Sequence, residues 1–324
     1  MLNKTELFIN VKNKKMKFDH MEGLIAAAFT PFFPNGKLNL SIIPEYAQRL
    51  KRDGVKGVFV CGSSGEGLLM GTEERKAVAE AWMPFSENQF RIIIHVGSTS
   101  ATIARELASH AASIGADAIG CMGPCCFQPH DAKLLTAFCA EIASAAREIP
   151  FYYYHIPGTS GVYVKMSEFL VEAGNKIPNL AGIKYTSPTL MEMLECMSLE
   201  NGKFDILHGQ DEALLAGLTL GAKAAIGTTY NFMAPVFNSI IEKFRKKQLE
   251  QALEIQKKAN EVIAVMLSTG SAISGGKAMM KMNGIDCGPC RLPLSTLCEE
   301  QEEKLRKDLE KIGYFKLIDQ WVES

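Results

Sequence analysis

The sequence predicts an α/β chain, a (β/α)8 TIM barrel with an appended C-terminal helical layer, on three observations. Eight short apolar runs recur at about 30 residues per unit, the length of a strand, a helix and their connections. Between them lie segments with apolar residues three and four apart, the period of an amphipathic helix. No GxGxxG follows the first run, so a doubly wound sheet, the alternative, lacks its phosphate-binding turn.

In chain order the strand candidates are GLIAAAF (23–29), GVFVCG (57–62), RIIIHVG (91–97), ADAIGCMG (116–123), PFYYYHI (150–156), LAGIKY (180–185), FDILHG (204–209) and KAAIG (223–227). Each run leads into a polar or glycine-containing loop and then a helical stretch. TEERKAVAEAW (72–82), ATIARELASHAASIG (101–115), DAKLLTAFCAEIASAARE (131–148) and MSEFLVEAG (166–174) are the clearest. Strand followed by helix, repeated eight times, is the barrel pattern. Beyond residue 245 the helical spacing continues without strands, in the segments 246–267, 275–282 and 295–312. The expected organisation is an extension over 1–20, a barrel over 21–245 and helices over 246–324 packed on the barrel.

The extension, MLNKTELFINVKNKKMKFDH, is lysine-rich and interrupted by polar residues. It lacks the apolar core of a secretory signal and the arginine and serine bias of a transit peptide. We read it as poorly ordered, with Met16 and Met21 as alternative starts. A net charge of -1 over 324 residues gives no electrostatic reason to expect nucleic acid or an acidic membrane as partner. No apolar run approaches the roughly 18 to 20 residues that span a bilayer. Nine cysteines without a signal sequence indicate a reducing cytoplasmic setting, with most thiols buried as small hydrophobes.

A barrel places its active site at the C-terminal ends of its strands. The reactive residues there are Ser63 and Ser64, His95, Cys125 and Cys126, Tyr154 and His155, Lys184, His208, Asp211 and Glu212, and Thr228 and Thr229. Taken alone, Lys184 has an ordinary reading, a long side chain running along apolar surface to put its ammonium in water. The other reading is an amine at the barrel mouth that attacks a carbonyl to form a Schiff base. Its neighbours favour the second. Side chains alternate along a strand, so Tyr152 and Tyr154 face inward and Tyr153 outward. Tyr154 is the last before Pro157 turns the chain, which sets its hydroxyl at the mouth one strand from Lys184. An amine to make an electron sink and a hydroxyl to move protons are what imine chemistry requires.

TPF (30–32), GSSGEG (62–67), IIIHVG (92–97), YYYHIP (152–157), GIKYT (182–186), HGQDE (208–212) and GTTYN (227–231) stand in order at successive strands. Through them the chain, from about Gly23 to the GPCRLPL segment, resembles the N-acetylneuraminate lyase and dihydrodipicolinate synthase superfamily of Schiff-base aldolases. The resemblance implies that Lys184 forms the imine with the ketone carbon of the substrate and Tyr154 shuttles protons, with Ser63 linking it to the substrate. Ser64 and the loop's N–H groups would hold the substrate carboxylate, in keeping with how glycine-rich turns receive anions.

The far end of the substrate decides the branch. Synthases acting on aspartate semialdehyde carry an arginine shortly after the proline, where this chain has GTSG. HGQDE and GTTYN instead offer carboxylates and hydroxyls, which suit a chain of sugar hydroxyls. The resemblance implies contacts from Thr186, Gly209, Asp211, Glu212 and Thr228. Asp211 and Glu212 also read as acids at a helix N-terminus, and both roles are compatible. Two departures stand out: Thr159 replaces a usual leucine, which implies a more polar pocket wall, and GPCCF, with Cys126, replaces an aromatic pair that in many relatives crosses the subunit interface.

CGPC (287–290) matches a redox motif but lacks the strand-to-helix setting that lowers a thiol pKa. No second cysteine pair or histidine pair stands at zinc spacing. His95, His155 and His208 read as structural, and the charged positions from Glu250 to Lys258 as a solvated face. The implied activity is the retro-aldol cleavage of N-acetylneuraminate to N-acetylmannosamine and pyruvate, with no metal or organic cofactor and small-molecule partners only. The implied assembly is a homotetramer. The alternatives are another pyruvate-dependent aldolase or synthase, dihydrodipicolinate synthase-like or acting on 2-keto-3-deoxy sugar acids, and a non-catalytic sugar-acid binding protein.

Overall fold

Eight parallel strands close on themselves in sequence order in the computed structural model, which describes residues 18–317. They are β1 (Gly23–Ala27), β2 (Gly57–Val60), β3 (Arg91–His95), β4 (Ala118–Met122), β5 (Phe151–His155), β6 (Leu180–Tyr185), β7 (Asp205–His208) and β8 (Ala224–Gly227), with β1 hydrogen-bonded to β8. Each lies inside the apolar run that predicts it. Most stop short of the run's end because the chain must leave the sheet there: after Val60, Cys61 turns into the left-handed region with φ 57°.

The helices that follow the strands are α1 (Ile43–Arg52), α2 (Thr72–Trp82), α3 (Ala101–Ser113), α4 (Ala132–Ala143), the short α5 (Pro157–Ser160), α6 (Met166–Lys176), α7 (Leu190–Ser198), α8 (Leu214–Leu220) and, after the last strand, α9 (Tyr230–Arg245). Side-chain caps start two of them: Ser100 accepts from the Ile103 N–H and Asp131 from the Leu134 N–H. Two cores result. The larger lies between strands and helices. The smaller fills the barrel and includes Ile25, Phe59, Met122, Tyr152, Tyr154 and Leu207. Alternation along β5 therefore puts Tyr152 and Tyr154 inside, and Tyr153 outside against Phe169, ring centroids 4.9 Å apart.

Three further helices, α10 (Leu249–Leu267), α11 (Ala272–Met282) and α12 (Glu299–Lys311), follow the barrel. On α10, Glu250, Glu254, Lys257 and Lys258 are exposed while Gln256 is buried. No single helix among the described residues is long and apolar enough to cross a membrane. Residues 1–17 of the expected extension, and 318–324 at the other end, lie outside the described residues. Phe18 and Met21 pack on the barrel's interior core, and the Met21 N–H donates to Asp205 at 2.9 Å.

Candidate active site

Pairing of β5 with β6 sets Tyr154 directly opposite Lys184. The Lys184 Nζ lies 3.9 Å from the centroid of the Tyr154 ring and 4.5 Å from that of Phe59. Lys184 is 4% exposed and has no ion-pair partner among the described residues. Its amine is held by ring faces rather than released to bulk water, so the surface-lysine reading does not describe it. Gly120 makes room for this arrangement, since a Cβ there would lie 2.5 Å from the Phe59 ring. The Tyr154 hydroxyl has no hydrogen-bond partner among the described residues.

His95 closes the floor, its ring 6.0 Å from that of Tyr154. Its Nε2 accepts from the Met122 N–H at 3.3 Å, which makes Nδ1 the donor to the Cys61 carbonyl at 3.0 Å. Burial, followed by the positive charges of Arg75 and Lys184, pushes its pKa well below the ordinary histidine value. Neutral and doubly hydrogen-bonded, it is a structural group. Burial likewise lowers His155 to about 4.

The GSSGEG loop crosses the mouth after β2. Its tight turn needs glycine: a Cβ on Gly67 would lie 1.8 Å from the Cys61 carbonyl oxygen. Thr30 Oγ1 donates to the Gly65 carbonyl at 2.6 Å, and Ser64 Oγ lies 2.7 Å from Thr228 Oγ1. The backbone N–H groups of Ser63, Ser64 and Gly65 donate to no acceptor among the described residues. Such a run of unspent donors is suited to an anion. Ser63 is exposed at the rim, with no hydrogen bond to Tyr154.

Asp211 and Glu212 begin a short 3-10 turn after β7. Asp211 is 7% exposed, and its Oδ2 accepts from the Thr229 N–H at 2.8 Å and from Thr229 Oγ1 at 2.7 Å. Burial raises its pKa to about 6, against the lowering effect of the Thr229 bonds. Its carboxylate rests on Gly227, where a Cβ would lie 1.7 Å from Oδ1. Glu212 is exposed, its carboxylate touched by Gln210 Nε2 at 3.3 Å. Beside them Gly209 leaves space for the buried Thr186 hydroxyl, which has no partner among the described residues.

Lys184, Tyr154, Ser63, Ser64, Thr186, Gly209, Asp211, Glu212 and Thr228 all line one cavity of about 540 Å³. Lys184 is the sole cation on its wall, and Asp211 and Glu212 are the acids. Neither Cys126 nor Thr159 lines it; both are exposed outside, so the Thr159 departure leaves the wall unchanged. The sequence reading missed the cavity's outer wall, which comes from Asn260, Ile263 and Leu267 of α10 and Ala272 and Ile273 of α11. It also missed Gln256, whose Nε2 donates to the Asp211 carbonyl at 3.2 Å, and Asn260, whose Nδ2 donates to the Glu212 carbonyl at 3.0 Å. A cavity of about 560 Å³ at the strands' N-terminal ends, between Arg91, Tyr152 and Arg245, contains none of the nine. In CGPC, Cys287 is buried and pushed up to about 12.

A closed parallel barrel with a lysine amine set against a tyrosine at its C-terminal mouth belongs to the class I aldolases, a class of carbon–carbon lyases. The chain belongs to the dihydrodipicolinate synthetase family, which it matches over residues 20–312. It is 38% identical over 298 residues to N-acetylneuraminate lyase of Mus musculus, covering 91% of this chain and 93% of that one. Among solved structures it resembles N-acetylneuraminate lyase from Proteus mirabilis, with 39% identity, a TM-score of 0.88 and coverage of 91% and 99%. The sialic acid aldolase from Aliivibrio salmonicida is 41% identical with a TM-score of 0.88, covering 91% of this chain and 98% of its own.

Proposed function

We propose that this chain cleaves N-acetylneuraminate reversibly to N-acetylmannosamine and pyruvate through a Schiff base on Lys184. The observation that carries the reading is the Lys184 amine, buried without a carboxylate partner and 3.9 Å from the Tyr154 ring. The amine attacks the C2 carbonyl of the open-chain sugar acid and expels water, leaving an iminium that draws electrons from the C3–C4 bond. Tyr154, through Ser63, takes the proton of the C4 hydroxyl as that bond breaks, and the aldehyde departs. The enamine regains a proton at C3, and water hydrolyses the imine to release pyruvate and the lysine.

Ser64 and the N–H groups of its loop hold the substrate carboxylate. Thr186, Gly209, Asp211, Glu212 and Thr228 face the hydroxylated tail. A wall with one cation and two acids favours a neutral polyol over a second carboxylate, which disfavours the synthase reading. A homotetramer in a reducing cytoplasm belongs to the same reading. It is supported by the family resemblance, by nine unpaired cysteines, and by Phe127 and Tyr163, 86% and 77% exposed.

A substrate panel read by pyruvate release or consumption tests the reading. N-acetylneuraminate is turned over, and aspartate semialdehyde with pyruvate is not. The opposite pattern would overturn the substrate assignment while leaving the imine chemistry in place.

A further inference from the structure

Glu66, the acid of GSSGEG, takes no part in the chemistry above, yet it is the most enclosed carboxylate near the site. Its backbone is left-handed at φ 55°, and its side chain is wholly buried. Oε1 lies 2.6 Å from the Nζ of Lys277 on α11, a side chain only 4% exposed. Oε2 accepts from the Arg291 N–H at 2.7 Å. Lys277 also donates to the Pro289 carbonyl at 2.7 Å and lies over the Phe32 ring at 4.6 Å.

A non-glycine residue in left-handed backbone persists only where its surroundings hold it there. Here the holding groups come from helix α11 and the 289–291 segment, more than 200 residues further along the chain. The Glu66 N–H donates to Ser63 O at 3.1 Å, so the loop's conformation at Glu66 is tied directly to Ser63 and its neighbours. Buried ion pairs contribute little net stability, but losing one partner strands a charge, which suits them to fixing one geometry.

We propose that Glu66 and Lys277 are a positioning pair that holds the Ser63–Gly65 N–H groups in the arrangement that receives the substrate carboxylate. The C-terminal helical layer is thereby part of the carboxylate site. This rests on the reading of that loop as the carboxylate site.

The test is the condensation direction, with pyruvate and N-acetylmannosamine varied separately. In Glu66→Gln the KM for pyruvate rises roughly ten-fold or more, because misplacing a positioning group by about an ångström costs up to about 10²-fold. The KM for N-acetylmannosamine moves less than about two-fold, since its contacts lie on other loops and only Thr228 among them touches this one, through Ser64. If Glu66→Gln does not fold, the neutral pair Glu66→Gln/Lys277→Met leaves no buried charge stranded and carries the same test. A folded variant with unchanged pyruvate KM, or with both KM values raised alike, overturns the proposal. Ser64→Ala separates it from the reading beneath: if that change also leaves pyruvate KM untouched, the loop is not the carboxylate site at all.

Discussion

The Nζ of Lys184 sits over the face of the Tyr154 ring, and the two residues are direct partners across the β5–β6 pairing. One contact thus fixes both groups that the imine chemistry needs. No carboxylate among the described residues stands within ion-pair distance of the amine. With Phe59 seated on Gly120 from the other side, the amine has little freedom except toward the cavity.

Incubation with pyruvate and borohydride therefore adds one pyruvate-derived group, which peptide mass mapping places on Lys184. Lys184→Ala loses both label and turnover. Label on any other lysine would remove the mechanism.

The three consecutive tyrosines separate by face. Tyr154→Phe lowers turnover by about 10²- to 10⁴-fold while trapping persists, the range for losing a proton-transfer group. Tyr152 donates to the buried Asp205 at 2.9 Å, so Tyr152→Phe costs stability, about 1 to 3 kcal/mol, more than rate. Tyr153→Phe, on the outward face, leaves turnover near normal. A slow Tyr153→Phe beside a normal Tyr154→Phe would contradict the inward register of β5.

The barrel was legible because its signals are local: runs of a few apolar residues and helical spacing survive in any short window. All nine proposed site residues reach one cavity because strand ends converge, whatever the intervening chain. What escaped the reading depends on distant contacts. Gln256 lies within a run of exposed charges on α10, and nothing in that run marks its inward turn toward Asp211. Glu66 looks like one more polar residue in a glycine-rich loop until α11 brings Lys277 to it. Phe59 reads as core, and only the closed barrel brings its ring beneath the amine.

Gln256 braces the acidic turn from both sides, donating to the Asp211 carbonyl and accepting from the Leu215 N–H at 3.1 Å. Gln256→Leu removes both bonds, together with the one its Nε2 donates to Asn260 Oδ1 at 2.9 Å. The expected result is weaker N-acetylneuraminate binding, by roughly 1 kcal/mol per lost bond or about five- to thirty-fold in KM, with pyruvate trapping intact. Equal loss of trapping would show that the brace serves the whole barrel rather than the turn.

Asp211 makes a prediction whose sign follows from its pKa. Its carboxyl sits at about 6 in the folded chain against 3.8 when free, so between those values the native state holds more protons than the unfolded one. Stability then falls as pH rises from about 4 to 6, because ionising the buried carboxyl opposes burial, and it levels off above 6. Asp211→Asn has no such proton to lose, and its amide oxygen can still accept from the Thr229 N–H and hydroxyl. Relative to wild type, the Asn variant should gain stability across that window, by up to roughly 3 kcal/mol, and hold the gain at higher pH. Urea unfolding of both proteins at pH 4, 5, 6 and 7 measures the difference. A gap that stays constant over the window, or narrows as pH rises, would mean that Asp211 is ionised throughout and that its bonds with Thr229 outweigh its burial.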